Sequence, residues 1–184
     1  RALAADPSKL DLKGENRELT VLFADVRNFT TFSEEHAPQE VVALLNAFGG
    51  GASALVAGAV LVSDTDPSTQ TTIATVASGI IGSVTFWGSL VAFDKLRGLL
   101  LPDRPVIFPA QQILNGVLAL TALGLGVMVV TEPANTEFYV GVVVVASLLG
   151  ILLTIPIGGA DMPVALALLN SYSCLLYPSD AADE

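Results

Sequence analysis

Residues 72–93 read TIATVASGIIGSVTFWGSLVAF, without a single charged side chain. A helix needs about 20 residues to cross roughly 30 Å of hydrocarbon, so this stretch is long enough to span a bilayer alone. Small residues recur along it at Gly79, Gly82, Ser83, Gly88 and Ser89. Such residues let a neighbouring helix come close where the solvent supplies no hydrophobic drive between helices. Three more uncharged stretches share this character, at residues 41–62, 111–131 and 138–157, and a fifth begins after Pro163 and runs to about Leu176. In lipid every backbone N–H and C=O must find its partner within the segment, so each is expected to be a helix. A buried soluble core is the alternative, and four uncharged runs of this length in so short a region argue against it.

The composition agrees. The 184 residues are 14% charged and 52% hydrophobic, with a net charge of −10, against about a quarter charged in an ordinary soluble domain. The charge is unevenly placed: residues 1–40 hold five of the eight basic residues and eight of the eighteen acidic ones. No basic patch exists to neutralise phosphates, so no nucleic-acid partner is expected. Cys174, the one cysteine, excludes an intrachain disulfide. Opening on Arg1, the chain is expected to be a fragment. Every Lys and Arg after residue 40 (Lys95, Arg97 and Arg104) lies in the stretch 94–104, and the connectors 63–71 and 132–137 have none. The excess of basic residues marks a cytoplasmic loop. The segment before the first span and the turn at 158–162 then lie on the same side.

The charged head has its own pattern. Residues 19–24, LTVLFA, have strand character and end at Asp25, and a helix is expected to start at Ser33-Glu34-Glu35 with Pro38 in its first turns. His36 is expected at the surface. A carboxylate at a strand end suits a hard cation such as Mg²⁺. The stretch 18–30, ELTVLFADVRNFT, resembles the opening of the class III adenylate/guanylate cyclase catalytic domain, over about residues 14–48. That resemblance makes Asp25 the first of two metal-binding aspartates. The second is expected within 58–72, where Asp64 and Asp66 stand in SDTDPS without the family's surrounding pattern. One aspartate cannot hold two metals, so no cyclase activity is expected from this chain. The plain alternative for Asp25 is a solvated acid at a strand end.

Polar residues inside spans are costly and become candidates for function. Here they are Asn46, Ser53, Ser78, Ser83, Thr85, Ser89, Asn115, Ser147 and Asn170. Asp161, just before Met162-Pro163, lies at the head of the fifth helix, where the helix dipole favours an acid. The stretches 80–93 (IIGSVTFWGSLVAF), 95–98 (KLRG), 157–164 (IGGADMPV) and 168–173 (LLNSYS) resemble the beta subunit of proton-translocating NAD(P) transhydrogenase. This resemblance covers about residues 41–173 and implies proton translocation coupled to hydride transfer between NADH and NADP⁺. It implies a proton path through Asn46, Ser89 and Asn170, and a coupling role for Asp161 at the cytoplasmic mouth. Asn46 stands where many members have histidine, and an amide takes up no proton near neutral pH, so it can only orient water. For Ser89 and Asn170 an interhelical hydrogen bond is the structural alternative.

The resemblance further implies an alpha-subunit partner, an NADP(H)-binding domain beyond this segment, an oligomeric complete enzyme and a bacterial inner membrane. No GxGxxG opening a βαβ unit and no GxxxxGK[ST] occurs, so NADP(H) and NAD(H) are expected to bind elsewhere in the complete enzyme. The residues 174–184, CLLYPSDAADE, resemble a translated adapter scar. The expected organisation is therefore a truncated cyclase-like fragment (1–40), transhydrogenase membrane helices (41–173) and a foreign tail (174–184), joined as a chimera within 42–48. The fold class is an all-α polytopic membrane protein of four to five transmembrane helices behind a short strand–helix fragment. As an isolated polypeptide it is expected to catalyse nothing.

Overall fold

The computed structural model describes residues 29–174, and among these every regular element is helical. A short helix α1 (Phe29–Glu35) leads into α2 (Pro38–Ser63), α3 (Thr69–Arg97), α4 (Gln111–Thr131) and α5 (Thr136–Thr154). A single 3₁₀ turn, Gly159–Asp161, then precedes α6 (Met162–Cys174). Helices α2 to α5 are each long and apolar enough to cross a membrane, and their bounds follow the four uncharged stretches closely. The expected strand at 19–24 and Asp25 lie outside the described residues.

One boundary differs from expectation. In place of one helix starting at Ser33 with Pro38 inside its first turns, α1 ends at Glu35 and a new helix starts at Pro38. The proline ring disfavours helical backbone at the residue before it, and Ala37 is extended (φ −62°, ψ 142°). Pro38 then takes the first helical position, where its missing N–H costs nothing. His36 is half-buried rather than on the surface. Its ring stacks on Phe32 at 4.0 Å, and its Nδ1 lies 2.8 Å from the Phe32 carbonyl oxygen.

The other ends are set by local chemistry. Ser68 caps α3 by accepting the Thr71 N–H at 3.1 Å, and Gly98 closes it in the left-handed region (φ 60°). Asn135 caps α5 by accepting the Glu137 N–H at 3.2 Å. These contacts satisfy backbone groups that a helix end leaves without partners.

Helix α3 is the axis of the bundle and packs against α2, α4, α5 and α6. Along α2 the structure separates the small residues by role: Gly50, Ala54 and Ala57 are buried, whereas Gly49, Ala52 and Ala59 face outward. At the α2–α3 crossing Gly50 and Gly82 meet backbone to backbone. A Cβ on Gly82 would lie 2.6 Å from the Gly50 carbonyl oxygen and 2.9 Å from the Ala54 nitrogen. Near the far end Tyr139 of α5 wedges between α2 and α3. Its ring lies against Gly58 and Gly79, and its hydroxyl donates to the Ala54 carbonyl at 2.6 Å. The outer surface is aliphatic, with Leu55, Ile113, Leu120, Val127 and Val140 among its exposed side chains. That is the composition a helical surface needs to be solvated by lipid tails.

Gly82→Val should therefore be severe, because the obstructing atoms are backbone and cannot rotate away. The expected loss is about 1–3 kcal/mol or more, read as a lower midpoint of denaturation in mixed micelles, while Gly49→Ala, with open space around it, should leave the midpoint unchanged.

Candidate functional site

The close α2–α3 approach brings two of the expected site residues together. Asn46 lies one turn before Gly50 on α2, and Ser89 lies two turns after Gly82 on α3, so the antiparallel register sets them opposite each other. The Asn46 Nδ2 donates to the Ser89 Oγ at 2.9 Å. Both are buried, Asn46 at 8% exposed and Ser89 at 0%. One turn toward the basic end, Ala43 and Ala92 pack with Met162 and Leu166 of α6. The pair thus sits inside the bundle, walled on one side by alanines and the start of α6.

The remaining expected residues stand apart from this pair. Asn170 is exposed on α6. Asp161 is exposed at the end of the 3₁₀ turn, where its N–H donates to the Gly158 carbonyl at 3.0 Å. Of the other polar span residues, Ser83, Thr85 and Asn115 are buried, and Ser53, Ser78 and Ser147 are half-buried. Ser147 bonds back to the Val143 carbonyl of its own helix at 2.6 Å. The Ser83 Oγ and Asn115 Oδ1 are buried without a protein hydrogen-bond partner. Among the described residues no cluster of three or more His, Cys, Asp or Glu could hold a metal ion.

Sequence reasoning missed Lys95. The sequence assigned it to the basic loop, but α3 continues past Phe93 to Arg97 and turns Lys95 inward, to 1% exposed. Its Nζ donates to the backbone carbonyls of Ile155 (2.5 Å), Ile157 (2.8 Å) and Arg104 (3.4 Å). The signal was present: Gly88, Ala92 and Lys95 form an i, i+4, i+7 stripe whose first two members are small. Gln111, read only as the first residue of a span, was missed as well, and its Nε2 donates to the Leu152 carbonyl at 3.1 Å. Around Lys95 the 98–110 loop folds back onto the end of α5. The Val106 N–H donates to the Ile155 carbonyl at 3.3 Å, and the Gly159 N–H donates to the Asp103 carbonyl at 3.0 Å. Arg97 pairs with Glu40 at 3.7 Å on the α2 side of the same end.

Fold and site together define a polytopic helical membrane protein with a buried amide–hydroxyl pair between its two most closely packed helices. The chain belongs to the NAD(P) transhydrogenase beta subunit family, which it matches over residues 31–177. The NAD(P) transhydrogenase subunit beta of Rhodospirillum rubrum is 40% identical over 93 residues, 50% of this chain and 20% of that protein. A second sequence of this subunit, from a designated strain of the same species, matches to the same extent. The chain thus spans about a fifth of the length of these curated relatives. The family match runs without interruption across residues 42–48, where a chimeric join was expected, and it begins inside the segment assigned to the head. Neither the cyclase resemblance nor the chimera gains support from these comparisons.

Replacing Ser89 with alanine removes the partner of a buried amide without changing the backbone. Ser89→Ala should lower bundle stability by about 0.5–2 kcal/mol, the range for interhelical hydrogen bonds in membranes, measured by steric trapping in bicelles. Ser147→Ala, whose bond is to its own helix, should change it less.

Proposed function

We propose that this chain is part of the proton-translocating membrane region of an NAD(P) transhydrogenase, with the Asn46–Ser89 pair as one step of the proton path. The observation that carries this reading is the hydrogen bond itself: two uncharged polar side chains, buried in apolar helices and paired across a close helix contact. Such groups are expensive to hold in a bilayer and are a default pointer to function there. Neither side chain gains or loses a net proton near neutral pH. The amide and hydroxyl instead act by hydrogen bonding, fixing the direction of a proton relay that passes them.

On this reading Asp161 marks the mouth of the path on the cytoplasmic side, and Asn170 contributes from α6 once further helices cover its face. The basic end, with Lys95, Arg97 and Arg104, faces the cytoplasm, which places the segment before α2 there also. Hydride transfer between NADH and NADP⁺ takes place on domains outside this segment, with NADP(H) and NAD(H) bound there. An alpha subunit and an NADP(H)-binding domain are the partners, in an oligomeric enzyme of a bacterial inner membrane. The segment alone performs no redox chemistry.

The test places Asn46→Leu in a complete transhydrogenase built around this segment and reconstituted in liposomes. Proton uptake driven by hydride transfer should fall by about tenfold, the scale of losing one orienting hydrogen bond in the path. Asn46→His should retain coupled activity and acquire a dependence on pH that asparagine lacks, because imidazole can take up a proton and an amide cannot. Unchanged proton uptake in Asn46→Leu would refute the proposal.

A further inference from the structure

We propose that Lys95 is a positioning residue whose buried ammonium fastens the turn carrying Asp161 to α3, so that the turn moves with the helix that bears Ser89. The meaning of this link for proton movement rests on the transhydrogenase reading; the link itself rests on geometry alone.

An ammonium group has three N–H donors and no acceptor. Lys95 has three carbonyl acceptors within reach, from Ile155, Ile157 and Arg104, which saturates it. A lysine near a helix C-terminus ordinarily reaches into water and interacts with the carbonyls of its own helix. Lys95 does neither. It is 1% exposed, and two of its acceptors are 60 and 62 residues away in sequence. Those acceptors, Ile155 and Ile157, lie just past the end of α5, where the helix leaves carbonyls without partners and the dipole is negative. A buried cation is tolerated only while its hydrogen bonds are made, so the three carbonyls are held in place as firmly as the cation is.

The same group organises both strands of chain around the turn. Arg104 adjoins Asp103, whose carbonyl accepts the Gly159 N–H at 3.0 Å. The Asp103 carboxylate also lies directly against Gly159, in the place a Cβ would take. Ile157 leads directly into Gly158, Gly159 and Asp161. On α3, Lys95 is six residues beyond Ser89, about 9 Å along one continuous helix. Between them Ala92 packs against Met162, the first residue of α6. A displacement of α3 at the Asn46–Ser89 pair is therefore carried rigidly to Lys95, and from its ammonium to the carbonyls that precede Asp161.

Amide hydrogen exchange on the chain in lipid nanodiscs tests this directly. Lys95→Met, which keeps the length and removes the charge, should speed exchange of the 157–161 amides about tenfold or more, the scale of lost charge-assisted hydrogen bonds, with α4 protection unchanged. Lys95→Arg, whose guanidinium can donate to the same carbonyls, should restore most of the protection. Ser89→Ala should alter exchange in the turn when Lys95 is present and should not when methionine replaces it, a coupling that a double-mutant cycle isolates. If Lys95→Met does not insert, Lys95→Gln is read in the same way. Unaltered exchange at 157–161, a uniform loss of protection over all helices, or a Ser89→Ala effect indifferent to residue 95 would each overturn the proposal. A complete enzyme insensitive to Asn46→Leu would remove the proton-path reading and leave these exchange results as they stand.

Discussion

The closeness of α2 and α3 is the constraint on which the rest depends. Gly50 and Gly82 let the two backbones meet with no side chain between them. A short amide such as Asn46 reaches a short hydroxyl such as Ser89 only because the helix axes are this near. Lipid tails are as apolar as leucine, so nothing in the solvent presses the helices together, and backbone proximity with its dispersion contacts takes that role. Gly150 repeats the device between α5 and α3, where a Cβ would meet the Val84 carbonyl oxygen at 2.6 Å.

The bundle has two chemically different ends. At one, Tyr139 lies among aliphatic and small residues and fixes the spread of α2, α3 and α5 through the Ala54 carbonyl. At the other, backbone carbonyls, a buried ammonium and an ion pair hold four chain segments together. Electrostatic bonds at low dielectric are strong while satisfied and expensive when broken. The basic end therefore favours discrete arrangements over gradual deformation, a property suited to passing a displacement from one helix to a turn.

The family match places these helices in the NAD(P) transhydrogenase beta subunit, and the structure describes what this segment can contribute there. It offers oriented hydrogen-bonding groups within the bundle and an acid at the mouth of a turn.

The sequence by itself determined the number, extent and environment of the spanning helices. A run of about 20 uncharged residues has few alternatives once its backbone must satisfy its own hydrogen bonds. It also marked Asn46 and Ser89, since polar residues in such runs are conspicuous. It did not show that Asn46 and Ser89 touch while Asn170 faces outward, because that depends on which glycine meets which in the α2–α3 register. The break at Ala37-Pro38 follows the rule for the residue before a proline, but the helix expected from Ser33 ran through it. Lys95 was the larger surprise. A charge next to a loop reads as solvated until the fold shows that the carbonyls just past α5 arrive at the same point. Only tertiary structure decides that, because the acceptors are backbone carbonyls, which every sequence possesses.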